Sequence, residues 1–334
     1  MRLSVAVVQG GPSTEAEVSR ASARGVAAAL EEAGHQVVRL ELDAFLAESL
    51  RTGGYDVVFP VTHGAVGEDG CLQGLLEVLG LPYVGSDVLA SALAMHKRVA
   101  RVLFERDGLP VARGLSLARG ESDARAAAER ARRDVGARLV IKPSAHGSAI
   151  GVARIEADAP LEDVARAIEA VWAIDEHAIV EHFARGREVT CGVLDLHLDR
   201  PQALPPTEIL SPRDPFYTYE ARYAPGRSVH VCPAKLPAAV TMRVQQVAER
   251  AHAALGCRDL SRVDFVVGDD GDQTDDMTVT LLEVNTLPGM TATSLYPEAA
   301  AAHGLPMPRL CDALATRAHT RGPTQRMAPR PLPQ

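Results

Sequence analysis

Arg262-Val263-Asp264 and, beyond an acidic turn, Leu282-Glu283-Val284-Asn285-Thr286-Leu287-Pro288-Gly289-Met290 decide how this chain reads. In a β-strand successive side chains point to opposite faces, so Arg262 and Asp264 share one face, and Glu283 and Asn285 share one face of the next strand. The intervening Gly268-Asp-Asp-Gly271-Asp has turn chemistry, which lets the two strands pair antiparallel and gathers four polar heads. A buried, uncompensated carboxylate pair would be prohibitive, which implies a cation between them. Hard oxygen ligands without His or Cys favour Mg²⁺ shared with nucleotide phosphates. The bland reading is a solvated hairpin with a polar face.

The residues after the second strand weaken that bland reading. Gly289 lets the backbone approach a ligand closely, and the Thr291 to Ser294 hydroxyl cluster sits where a helix could start. The run R-x-D, then L-E-x-N-T-x-P-G-M-T-x-x-S-L, resembles the C-terminal signature of D-alanyl-D-alanine ligases, members of the ATP-grasp superfamily, and the match extends over almost the whole chain. The fold class this implies is α/β: a doubly wound N-terminal domain (1–97), a central α+β domain carrying an ATP lid (98–190) and an α+β catalytic domain (191–318) with a substrate loop at 201–228. Residues 319–334, rich in Pro and Arg, read as a disordered tail.

Composition agrees with an ordinary globular protein. The chain has 334 residues, 46% hydrophobic and 23% charged, with a net charge of −8, which argues against nucleic acid as principal partner. Five scattered cysteines (Cys71, Cys191, Cys232, Cys257, Cys311) lack metal-ligand spacing and suggest reduced thiols in the cytoplasm. The apolar start at residues 3–8 leaves no room for a signal peptide, and no apolar run approaches the roughly 20 residues of a membrane span.

Lysine usage narrows the candidates. Only Lys97, Lys142 and Lys235 remain in a chain that otherwise uses arginine, and a compact ammonium suits a phosphate better than a guanidinium fork does in some sites. Lys142 ends a strand before the Ser/Gly-rich loop Pro143 to Gly151, whose N–H groups could wrap phosphate oxygens; Lys97 opens a helix after Met95-His96. Both match ATP-contacting lysines of the resembled family, and Lys235 reads as a surface residue. Predicted strands fall at 3–8, 37–42, 56–61, 111–117, 138–142 and 152–155, with an Ala/Arg-rich helix over 121–135. Thr14 with Glu17 has the spacing of a capping box.

The resemblance assigns further roles. Glu15, after Gly10-Gly11, would bind the amino group of the first D-alanine, with His63 of His63-Gly-Ala-Val-Gly-Glu68-Asp-Gly70 beside it. Glu181 would face the exocyclic amine of adenine, the Ala184 backbone the ring, and Glu188 the ribose hydroxyls. Asp264, Glu283 and Asn285 would hold Mg²⁺, two ions, or Mn²⁺. Arg262 and the Gly289 N–H would stabilise the tetrahedral oxyanion, and Ser294 and Leu295, with Arg222, would hold the second carboxylate.

The segment 216–223 is too aromatic for a solvated loop; the resemblance implies that it closes the site and excludes water, with Tyr223, Glu15 and Ser148 in one hydrogen-bonded set. The implied activity is ATP-dependent joining of two D-alanines through an acyl phosphate, by a homodimer. Arg222, Thr218, Ala149 and His96 depart from the family's usual lysine, aspartate, serine and aspartate. Those departures leave open a paralogous ligase that joins another D-amino acid. A nucleotide-binding regulator without catalysis is the more distant alternative.

Overall fold

Short apolar strands alternate with Ala-rich amphipathic helices along the chain, and each stretch buries its apolar side against a sheet. The computed structural model describes residues 1–147, 149–196, 200–210, 229–268 and 277–323. Ser148, the segment containing Thr218, Arg222 and Tyr223, and the tail beyond 323 lie outside the described residues, as does most of the acidic turn after Gly268.

The first sheet has the order β2-β1-β3, all parallel: β1 Ser4–Gln9, β2 Gln36–Glu41 and β3 Val57–Pro60. Five of the six β1 residues are buried, the run expected of a strand covered on both faces. Helix α1, Ala16–Glu32, lays Ser19, Ser22, Ala23, Val26, Ala27 and Leu30 on that sheet at helical spacing. Helices α2, Leu46–Thr52, and α3, Cys71–Leu79, pack Leu46, Leu50, Leu72 and Leu76 with Ala6, Val8 and Val58 of the other face. The helix Met307–Arg321 returns to the α1 side with Leu310, Leu314 and Ala318, and His35 ties it down: Nδ1 accepts from Leu3 N at 3.1 Å while Nε2 meets Asp312 Oδ1 at 2.9 Å. Its last residue, Arg321, is ion-paired with the fully buried Asp259.

A second, antiparallel sheet has the order β4-β7-β5-β6: β4 Gly114–Ala118, β7 His177–His182, β5 Leu139–Pro143 and β6 Ala153–Ile155. It is backed by α6, Ala124–Asp134, and α7, Leu161–Trp172. The third runs β11-β10-β8-β12-β13, with β9 (Gln202–Ala203) paired to β8. Here β8 is Arg187–Asp195, β10 Thr207–Leu210, β11 Val229–Val231, β12 Asp259–Val267 and β13 Val279–Asn285, and the helix Ala238–Ala254 supplies Val240, Val244 and Ala248 to the core beneath.

Two expectations need correction. The strand predicted over 111–117 begins only at Gly114, because Leu281 N bonds to the Pro110 carbonyl and Val111 bridges to Leu281, so residues 110–111 belong to the edge of the third sheet. The Thr14–Glu17 capping box does not form. The chain turns at Ser13, whose hydroxyl accepts from Glu15 N at 3.0 Å, so Glu15 takes the N-cap position of α1 and Glu17 pairs with Arg20 instead.

Candidate active site

The β12–β13 pair has the register that period-2 alternation requires: Arg262 lies opposite Asn285 and Asp264 opposite Glu283. Val263, Phe265 and Val284 point into the core, leaving the four polar side chains half-buried on the other face. Asp264 is gripped by a fork, since Arg262 Nε donates to Oδ1 and Nη2 to Oδ2, both at 2.8 Å. Thr190 Oγ1, at 2.7 Å, and Asn285 Nδ2, at 3.1 Å, donate to the same carboxylate. Glu283 meets Lys97 Nζ at 3.2 Å.

The two carboxylates are therefore compensated by Arg262 and Lys97, and the argument from an uncompensated pair to a metal ion does not hold in this structure. Among the described residues no cluster of three or more His, Cys, Asp or Glu stands ready to take a metal. Carboxylate and carboxamide oxygens remain suitable in kind for Mg²⁺.

Lys97 joins this hairpin to the loop after β5. The chain breaks between helix α4, Val88–Met95, and helix α5, Lys97–Arg106, at His96. That break directs Lys97 N to the Ser144 carbonyl at 2.9 Å and Lys97 Nζ to the His146 carbonyl at 2.7 Å. Asp175 fastens the same loop, accepting from Ala145 N at 2.9 Å. Gly147 then passes close to the N-terminal residues: a Cβ there would stand 3.7 Å from Glu15 Oε2 and 3.9 Å from Glu68 Oε1.

Two cavities lie on either side of Lys97, Gly147 and Glu283, which line both. The larger, about 490 Å³, gathers Glu15, His63, Arg262, Asn285, Gly289, Ser294 and Leu295. His63 is buried, with Nδ1 4.0 Å from Glu68 Oε2, and its Nε2 has no hydrogen-bond partner among the described residues. Burial acts to lower its pKa, but the carboxylate of Glu68, with Glu15 beyond it, more than offsets this and holds His63 above the ordinary histidine value. Glu68 is itself fixed by Gly64 N, which donates to Oε1 at 2.9 Å. Ser294 Oγ accepts from Thr291 N at 3.0 Å, and Ser22 Oγ accepts from Met290 N at 3.2 Å, fastening the loop to α1.

The smaller cavity, about 180 Å³, is lined by Lys142, Ala149, Ile150, Phe183, Ala184, Glu188 and Leu282 among others. Glu181 closes it, with Lys142 Nζ at 2.6 Å from Oε2 and Arg101 Nη1 at 3.0 Å from Oε1. Arg154 lies over the Phe183 ring, 4.1 Å from its centroid. Lys235 is exposed. Of the sequence candidates, every described one lines one of the two cavities except Asp264, which is bonded to Arg262 and Asn285 at the edge of the larger. Ser148, Arg222 and Tyr223 lie outside the described residues. Thr190, Glu68 and Arg101 were not singled out by sequence. Only Glu68 carried a local signal, five residues after His63 in the same glycine-rich stretch.

Two family models match the chain: "D-ala D-ala ligase N-terminus" over residues 44–86 and "D-ala D-ala ligase C-terminus" over residues 103–316. A D-alanine–D-alanine ligase of Desulforudis audaxviator is 41% identical over 317 residues, covering 95% of this chain and 99% of that protein. One from Gluconobacter oxydans is 43% identical over 325 residues, covering 96% and 100%. Among solved structures, the D-alanine–D-alanine ligase of Coxiella burnetii superposes with a TM-score of 0.79 at 29% identity, covering 96% of this chain and 94% of that one. The ligase of Bacillus anthracis complexed with ATP gives 0.77 at 26%, covering 96% and 98%.

Proposed function

The chain belongs to the D-alanine–D-alanine ligase family, with an α/β fold of ATP-grasp type, and on that premise we propose that it is the ATP-dependent enzyme that joins two D-alanines into D-alanyl-D-alanine for peptidoglycan precursors. The observation that carries this reading is the shared wall of Lys97, Gly147 and Glu283 between a cavity of mixed polar and apolar lining and a largely apolar one. Phosphoryl transfer from a nucleotide to an amino-acid carboxylate needs two adjoining sites of that kind.

In the first step a D-alanine carboxylate attacks the γ-phosphorus of ATP, giving an acyl phosphate and ADP. Glu15, buried at the mouth of α1, would take the ammonium group of that D-alanine, and the unpartnered Nε2 of His63 would face it. Lys97 and Lys142 would bind phosphate oxygens, Glu181 the adenine amine, the Ala184 backbone the ring and Glu188 the ribose. Asp264, Glu283 and Asn285 would hold Mg²⁺, which when bound supplies positive charge against the transferring phosphoryl group.

In the second step the amine of another D-alanine attacks the acyl carbon and phosphate leaves. Arg262 and Gly289 N–H would stabilise the oxyanion, where one donor is typically worth about 10² to 10³ in rate. Ser294 and Leu295, at the start of the helix Leu295–Ala302, would hold the second carboxylate. Ser148, Arg222 and Tyr223 join this reading through the family resemblance alone.

The division at about 97 and 190 belongs to the same proposal, supported by one sheet in each unit, with β8 crossing the second boundary. So do a homodimer, to be tested by light scattering, and a cytoplasmic place of work. No helix of the described residues is long and apolar enough to cross a membrane.

The deciding experiment is phosphate release from Mg-ATP with D-alanine, with D-serine, D-lactate and L-alanine as competitors and product mass as readout. D-alanyl-D-alanine with ADP and phosphate is expected. A mixed product, or no turnover with D-alanine, would overturn the assignment.

A further inference from the structure

Glu181 is held from two sides, and only one of them is the cavity. Lys142 reaches Oε2 from within, while Arg101, on α5, reaches Oε1 from behind and lines neither cavity. The Arg101 side chain is 12% exposed, and its Nη2 also serves the Ala112 carbonyl and Glu105 Oε1, the latter at 2.8 Å. A planar guanidinium anchored at several points offers its remaining N–H in one direction, which a lysine ammonium cannot do.

Strand β4 is built to let this contact happen. Gly114 is in register with Glu181, and its φ lies outside the left-handed region, so glycine is not needed for conformation. It is needed for space. A Cβ at 114 would stand 2.6 Å from the Val180 carbonyl oxygen, 2.9 Å from Glu181 Cγ and 3.1 Å from Arg101 Nη1.

We propose that Arg101 is a positioning residue that sets nucleobase selectivity: by holding Oε1 it presents Oε2 of Glu181 to the cavity, as an acceptor for a base that carries an exocyclic amine. The proposal rests on reading Glu181 as the base-facing residue. A carboxylate oxygen can accept from Lys142 and from an amine together. A base with a carbonyl at that position sets oxygen against oxygen, and a carboxylate released from Arg101 can turn away from the clash.

The test compares ATP with inosine triphosphate, which differs by carbonyl for amine, on the full chain and its Arg101→Met, Arg101→Lys and Glu181→Gln variants. Binding is measured without amino acid, and kcat and KM with D-alanine present. For Arg101→Met the KM for ATP should rise about tenfold with kcat within about twofold, and the preference for ATP over inosine triphosphate should shrink about tenfold. Arg101→Lys should recover part of that preference.

An Arg101→Met protein that melts lower yet keeps the full preference would make Arg101 a structural tie and overturn the proposal. If Glu181→Gln changes the preference and Arg101→Met does not, Arg101 alone is misassigned. If Glu181→Gln leaves it unchanged, the reading of Glu181 fails and takes the proposal with it. Should Arg101→Met fail to fold, the same ratio in Arg101→Lys decides, an unchanged preference there overturning the role of the fork.

Discussion

Lys142, Ala149, Phe183, Ala184 and Glu188, which line the smaller cavity, come from one stretch of chain around the antiparallel sheet β4-β7-β5-β6 and the start of β8. Glu15, His63, Arg262, Gly289 and Ser294, which line the larger one, come from the first loop, the third βα loop and the far end of the chain. Beyond Lys97, Ala112 and the β12–β13 residues Val266, Leu282 and Glu283, the first site is drawn from that one stretch and is mostly apolar, and its Glu181 is held by Lys142 from within and by Arg101 from behind. The second is assembled over long separations and is tied by the ion pair between Lys97, at the start of helix α5, and Glu283 of strand β13. A site of the first kind should tolerate changes in the second, and the reverse, except at the wall they share.

The most severe way to break that separation is Asp264→Ala, which removes the carboxylate that the half-buried Arg262 grips with both Nε and Nη2. Turnover should fall by about 10³, while ATP binding measured by titration calorimetry changes little. An equal loss of ATP affinity would mean that the two cavities are one energetic unit. Lys142→Met addresses the other side: it removes a 2.6 Å ion pair from the smaller cavity, and the KM for ATP should rise about thirtyfold with the KM for D-alanine unmoved. A parallel rise in both would refute the separate character of the smaller cavity.

The larger cavity should carry a pH dependence set by His63. The folded pKa of His63 is raised, with burial opposing and Glu68 prevailing. The pair therefore contributes stability that is fully present below the ordinary histidine value of about 6.5 and is lost as pH rises through the raised one. Melting temperatures of wild type and Glu68→Gln should converge across that interval, and the KM for D-alanine, unlike that for ATP, should climb over the same range. Parallel melting curves at every pH would exclude the pairing. The smallest effect belongs to Gly289→Ala. Its Cβ would stand 2.9 Å from Ser294 Oγ, the end of a short side chain that can shift by loosening its bonds to Thr291, so a rise of about threefold in the KM for D-alanine is expected, about 0.7 kcal/mol.

The same contrast explains what could be read from sequence. The polar alternation of β12 and β13 shows their pairing and register because period-2 burial leaves a pattern in the residues themselves. The smaller cavity was legible for a related reason, its lysine, loop and the strand end at Glu181 being close together in the chain. Charge compensation was not legible. Thr190 sits 74 residues from Asp264, and Arg101 sits 80 from Glu181; a lone Thr in an apolar strand, or one Arg among many, gives no local sign of its partner. The failed capping box has a local cause: Thr14 and Glu17 have the right spacing, but Ser13 turns the chain first and leaves Glu15 at the helix entrance, where its carboxylate is wanted in the cavity.

Strand β12 runs between β8 and β13, so Arg262 and Asp264 stand on a rung bonded on both sides. The Met290 to Ser294 loop has no such neighbours and is moored to α1 chiefly by Met290 N on Ser22 Oγ. Inheritance can therefore tinker with the second and hardly with the first. A lineage under pressure to change what the larger cavity accepts would find its variation in the loop, while the charges of Arg262 and Asp264 stay fixed in the weave of the sheet.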